Sequence, residues 1–262
     1  MGLFDFFKKK ETTPQANAST KSPKSEKGEY LGDLDKTNIL FGLLKIPKPE
    51  RDQKWQQSFL ENISHASFRC GDPQVIVGPD GFPYFQLFLP EPHKAFQCFV
   101  IDRMKDDFLL KSGYGVVINP TENSADWVLS SGDIVNYHIN GTFYTETETP
   151  FSKETESETI SQDEEVMVGQ PTEELLPRET RNTIAAFLKG NGIDNPKIML
   201  MMRKRKDGNG VSQDIVFNLT IADFPDQDTC NSVLKAIRWY LPSHYSYVGM
   251  NEKNLESGFM PL

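Results

Sequence analysis

Residues Val166–Leu219 read VMVGQPTEELLPRETRNTIAAFLKGNGIDNPKIMLMMRKRKDGNGVSQDIVFNL. The apolar spacing and the Pro and Gly breaks predict a strand, a helix and then two strands connected by a turn. In order, these are Val166–Gly169, a helix from Pro177 to Gly190, Lys197–Lys204 and Val211–Ile221. This stretch follows an acidic, low-complexity run, and it therefore predicts the start of a C-terminal domain.

The last strand of this unit alternates strictly between apolar and polar residues. Its core side is predicted to hold Ile215, Phe217, Leu219 and Ile221, and its solvent side Asp214, Asn218 and Thr220. Pro225 and Asp226 then open a last helix, whose apolar stripe is Cys230, Val233, Leu234, Ile237 and Leu241. We expect a final edge strand at Tyr245–Val248.

The first half of the chain mixes strands and helices without a regular order. The predicted elements are a helix at Asp52–Ile63, a hairpin over Gln74–Leu89, a strand at Phe96–Ile101, a helix from Asp102 to Lys111, strands at Gly115–Asn119 and Trp127–Leu129, and a helix that Ser131 caps. An irregular order of this kind favours the α+β class. The sequence thus predicts two small mixed sheet-and-helix domains, at 30–144 and 166–262, joined by a disordered acidic linker at 145–165.

Charge is concentrated in that linker. The chain has 262 residues and a net charge of −9. Thr145–Glu165 holds eight acidic residues and one lysine, so it carries −7 and leaves −2 for the rest. A nucleic-acid-binding domain needs a basic face, and this balance does not favour nucleic acid as a partner.

The first 29 residues are predicted to form a disordered tail with an apolar tip. The tip combines hydrophobic and basic residues: Leu3, Phe4, Phe6, Phe7, Lys8, Lys9 and Lys10. The remainder, Glu11–Glu29, has no large apolar residue and cannot offset the entropy of ordering. The tip could make weak contact with an anionic inner membrane, dock on a partner protein, or have no role.

Several short motifs resemble the SseB-like (enhanced serine sensitivity) family. VGQPTEELLPRE and IMLMMRKRKDGNG resemble its C-terminal domain, whereas VGPDGFPYFQLF, FVIDRMKDDFLLKSGYGVVINP and WVLS resemble its N-terminal domain. The resemblance covers roughly Gln74–Tyr137 and Val166–Leu219. It implies the two-domain order and a cytoplasmic setting, and it implies no catalytic site.

The sequence predicts no catalytic site, metal site or cofactor. His65, His93, His138 and His244 form no metal-binding spacing, and the three cysteines form no CxxC pair. Cys98 and Cys230 fall on predicted apolar faces, where thiols behave as small hydrophobic groups. Reduced cysteines are typical of a cytoplasmic protein.

One strand face offers a candidate surface for a protein partner. Its residues are Met199, Met201 and Arg203, with Arg205 at the adjoining basic turn and Trp239 near the last helix. Methionine and aromatic side chains suit adaptable binding surfaces, although the same residues could be ordinary core. We therefore expect a cytoplasmic, non-catalytic interaction or adaptor module. The alternatives are an enzyme with an unrecognised site between the domains and a peripheral membrane protein.

Overall fold

A computed structural model of the chain describes residues 32–151, 166–204, 210–255 and 257–262. These residues contain six α-helices and two sheets, which confirms the α+β class. The helices are α1 Leu34–Leu43, α2 Gln53–Ile63, α3 Ile101–Met104, α4 Ser131–Asn140, α5 Arg178–Gly190 and α6 Gln227–Ile237. The strands are β1 Arg69–Val77, β2 Pro83–Phe88, β3 Gly115–Ile118, β4 Trp127–Leu129, β5 Val166–Gly169, β6 Lys197–Lys204, β7 Val211–Phe217, β8 Tyr247–Gly249 and β9 Met260–Pro261.

Contacts within the chain divide it into two compact units. Unit 1 comprises the described residues of Met1–Met104 and Val117–Trp127, and unit 2 comprises those of Lys105–Val116 and Val128–Leu262. One sheet is four-stranded, in the order β1–β2–β3–β4. The domain bounds 30–144 and 166–262 stay predictions.

Unit 1 contains the amphipathic helix and the hairpin that the sequence predicts. In α2, Trp55, Phe59 and Ile63 are buried, and the Asp52 side chain caps the helix by accepting from the Trp55 backbone N–H at 2.8 Å. Strands β1 and β2 pair antiparallel, as expected from the turn at Gly78–Gly81. The buried side chains of α2 therefore form part of the core of unit 1.

The prediction for Phe96–Ile101 and the helix after it is wrong in detail. Instead of a strand, this segment forms one isolated bridge, between Phe68 and Phe99. The following helix is not capped by Asp102, which lies inside α3, and Lys105–Leu110 continues as a π-helical turn. The Asp102 backbone N–H instead donates to Ser64 O at 2.9 Å, so a tertiary hydrogen bond replaces the local cap.

Unit 2 contains a mixed sheet of order β5–β6–β7–β8, with β9 beside the start of β6. The β5/β6 and β6/β7 pairs are antiparallel and the β7/β8 pair is parallel. Ile215, Phe217 and Leu219 are buried, as the alternation predicts. Ile221 is 52% exposed, contrary to expectation, because the strand has ended and a 3-10 turn begins there.

Residues 145–151 of the predicted acidic linker lie in the described part of the chain. Phe151 is buried, stacks on Tyr245 with ring centroids 4.0 Å apart, and bridges Gln213 on β7. Val166, at the other end of the run, pairs with Arg203 on β6. Both residues that flank 152–165 therefore pair with strands of the same sheet, while residues 152–165 lie outside the described residues.

Candidate interaction site

Strand β6 carries methionines on both of its faces, and the structure covers one of them. Met199 and Met201 are 0% and 3% exposed and pack with Val216. Met250, Leu255 and Phe259 of the C-terminal segment, residues 250–255 and 257–262, cover this face, which we call the covered face. Met199 and Met201 are thus core residues, so of the two alternatives for this face, partner surface or ordinary core, the structure shows the core.

The polar end of the covered face holds a buried carboxylate. Asp214 is 2% exposed, although the alternation of β7 places it toward solvent. Ser246 Oγ donates to Asp214 Oδ1 at 2.6 Å, and Arg203 Nη2 donates to Oδ2 at 3.2 Å. Arg203 therefore forms an internal ion pair with Asp214. A buried carboxylate without an opposite charge would be costly, so this ion pair stabilises the fold.

Trp239 is also a structural residue. It is buried, and its indole Nε1 donates to the Gly113 carbonyl at 3.2 Å. A Cβ on Gly115 would come within 2.7 Å of the Trp239 ring, so the ring needs glycine at that position. The remaining predicted site residues, Arg205 and the tip from Leu3 to Lys10, lie outside the described residues.

The opposite face of β6 has an exposed apolar patch that the sequence analysis did not single out. We define this exposed patch as Met167 on β5, Met202 on β6 and Val211 on β7. Met167 lies directly opposite Met202 in the ladder, and Met202 opposite Gln213, two residues from Val211. Directly opposed residues share a face, as do residues two apart, so all three project on the same side. Met167 is 55% and Val211 37% exposed, and Met202 is half-buried.

The exposed patch reaches an edge of the sheet. β5 pairs with β6 on one side, and among the described residues no strand pairs with its other side. Edge strands present unpaired backbone N–H and C=O groups at alternate residues. The patch therefore combines apolar side chains with backbone hydrogen-bonding groups.

Unit 1 contains a surface cavity of about 370 Å³, in which Arg51 and Asp126 form an ion pair. Arg51 stacks over the Trp55 ring at 4.5 Å, and its Nη2 donates to Asp126 Oδ1 at 2.9 Å. Its Nε donates to Ile46 O at 3.0 Å, so the guanidinium holds two loops together. Trp127 Nε1 is buried and has no acceptor among the described residues. Arg51 therefore has a structural role beside this cavity.

Within the described residues, no group of three or more His, Cys, Asp or Glu side chains is placed to hold a metal ion. Among these residues, His138 Nδ1 and Asp106 Oδ1 lie 2.6 Å apart at the surface, and His65 Nδ1 and Asp102 Oδ2 lie 3.9 Å apart. Burial raises the pKa of the Cys230 thiol, and the Asp223 carboxylate acts in the same direction. A raised pKa disfavours the nucleophilic thiolate.

Comparison of the chain with protein-family models, curated proteins and solved structures found no match. None of the helices within the described part of the chain is long and apolar enough to cross a membrane.

Proposed function

We propose that the chain is a non-catalytic interaction module that binds a protein partner through the exposed patch of unit 2. The supporting observation is that Met167, Met202 and Val211 adjoin on one sheet face while their neighbours Met199 and Met201 are covered. Unbranched, polarisable methionine side chains adapt to different partner shapes. Adjoining exposed apolar side chains beside polar groups are typical of protein-binding surfaces.

The module is proposed to be cytoplasmic and to consist of two SseB-like domains, at 30–144 and 166–262, with the acidic run between them. These proposals rest on the sequence motifs and on the cysteine pattern. The partner is a protein rather than a nucleic acid, since most of the negative charge lies in one run and no basic face is indicated by the composition.

Affinity capture with the full chain and two variants tests the function. Met167→Glu places a charge in the centre of the exposed patch, and we expect it to lower partner recovery about tenfold or more, since a desolvated unpaired charge costs well over 1.4 kcal/mol. Lysate of the native host is applied at low salt, and bound proteins are quantified by mass spectrometry.

Ile221→Glu is the matched control, because Ile221 is similarly exposed in the same unit but lies outside the patch. A protein recovered by the wild type and by Ile221→Glu, and lost with Met167→Glu, supports the function. Equal recovery by all three chains contradicts it.

A further inference from the structure

The outer edge of β5 specifies how a partner could bind at the proposed site. β5 has four residues, paired antiparallel with β6 over its whole length, from Val166 opposite Arg203 to Gly169 opposite Leu200. Its outer side has no strand partner among the described residues. A chain laid along this side would find backbone donors and acceptors already held in strand geometry.

The side chains of such an added strand would meet the exposed patch. Residues directly opposite each other on neighbouring antiparallel strands have their Cβ atoms about 4.5–5.5 Å apart. A residue opposite Met167 would therefore pack on the Met167 side chain and, through it, extend the row toward Met202. Its neighbours along the peptide would point to the other face, where Val166 and Val168 are half-buried.

We infer that β5 takes an extended peptide segment of a partner as an additional strand, with an apolar residue seated against Met167. This inference rests on the proposed function and specifies its mode of recognition. The peptide's backbone supplies the hydrogen bonds, and its alternate apolar side chains supply the contact with the exposed patch.

The short edge favours a peptide over a second copy of the chain. Four residues at about 3.3 Å each present roughly 13 Å of strand edge. A stable dimer buries about 800 Å² on each partner, far more than such an edge offers. A short linear segment needs only this edge and a few side-chain contacts.

Binding of a synthetic peptide to the full chain tests the inference. The probe is a fluorescein-labelled pentapeptide of alternating valine and threonine, matched to the length of β5, and its binding is measured by fluorescence anisotropy. Single N-methyl groups are placed along its backbone, one per peptide. Strand addition predicts that methylation weakens binding about tenfold at every second residue and less than about twofold at the residues between, because only alternate N–H groups face β5.

Two variants locate the site. Met167→Glu is expected to weaken peptide binding about tenfold, and Val248→Glu, at the opposite edge of the same sheet, is expected to leave it unchanged. Circular dichroism of both variants verifies folding, and the N-methyl series uses the wild-type chain in any case.

Several outcomes overturn the inference. These are no binding of the peptide, N-methylation effects without a period of two, loss of binding with Val248→Glu alone, or dimerisation of the chain that Met167→Glu abolishes. If the peptide series fails while lysate capture still depends on Met167, the interaction function stands and only strand addition is lost. If lysate capture is also independent of Met167, both fail.

Discussion

At the scale of single residues, burial changes the role of several polar groups. Asp214 occupies a position that alternation assigns to solvent, yet it lies opposite Met201 in the ladder and is buried. It tolerates burial because Ser246 and Arg203 both hydrogen-bond to it. A sequence pattern reports which residues share a face but not whether another segment covers that face.

The Asp214 pair gives a stability prediction. Asp214→Ala leaves the Arg203 guanidinium largely buried without its carboxylate, and we expect the free energy of unfolding to fall by about 2–3 kcal/mol. Urea unfolding followed by circular dichroism measures the change. Asp106→Asn, in an exposed pair with His138, is the control and should cost less than about 0.5 kcal/mol. Equal losses in the two variants contradict the assignment.

Two N-terminal helix carboxylates give pH predictions of opposite sign. Burial raises the pKa of Asp133 above its ordinary value of 3.8, despite hydrogen bonds from Ser130. The folded state then binds this proton more tightly than the unfolded state, so ionisation costs stability as pH rises above that value. The free energy of unfolding of Asp133→Asn minus that of the wild type should therefore rise as the pH increases from 3 to 7.

Asp226 is the matched comparison. Hydrogen bonds from Thr229 hold the pKa of Asp226 below its ordinary value, so its charge stabilises the folded state above that pH. The free energy of unfolding of Asp226→Asn minus that of the wild type should fall as the pH increases from 3 to 7. Urea unfolding at several pH values measures both differences. Differences that stay constant with pH, or that change in the same direction for both variants, would refute the assignment.

At the scale of elements, the C-terminal segment decides which face of β6 is core. Gln170 Nε2 donates to Gly258 O at 2.8 Å, and β9 pairs with Lys197 and Ile198. Gly258 has φ of +126°, and a Cβ there would lie 3.0 Å from Val168 Cγ2. Glycine is therefore required for the segment to lie flat on the covered face.

Gly258→Ala tests this role. The strained backbone and the close contact should lower the free energy of unfolding by about 1–3 kcal/mol. They should also speed the oxidation of Met199 by hydrogen peroxide, followed by peptide mass spectrometry. Gly169→Ala is the control, because a Cβ there meets nothing within 4 Å. Unchanged oxidation of Met199 in Gly258→Ala would mean that the segment does not protect it.

The elements themselves were largely predictable from the sequence, and the candidate site was not. The β7 alternation reports burial directly, so the sequence predicts the burial of Ile215 and Phe217 correctly. Met201 and Met202 are adjacent methionines with no local feature to distinguish them. Their different exposure depends on residues about 50 positions further along the chain, and no local pattern carries that information.

At the scale of the whole molecule, the tip of Leu3, Phe4, Phe6 and Phe7 followed by three lysines is proposed to make weak membrane contact. Deleting Gly2–Lys10 should reduce co-sedimentation with anionic vesicles, because both the apolar contact and the lysine attraction are lost. Co-sedimentation of the two forms with anionic and with neutral vesicles measures the effect. Equal binding of the two forms to anionic vesicles would contradict the proposed membrane contact. As a folding control, the midpoint of thermal unfolding should be unchanged by the deletion.

By itself, the sequence determined the α+β class, most helices and strands, and the burial of Ile215 and Phe217 on β7. Periodicity, proline and glycine act locally, so they are readable without the fold. Only the tertiary structure decided that Met199 and Met201 are covered, that Asp214 is buried, and that Met167 is left at an open edge beside the half-buried Met202. Those outcomes depend on contacts between segments far apart in sequence, which a local pattern does not record.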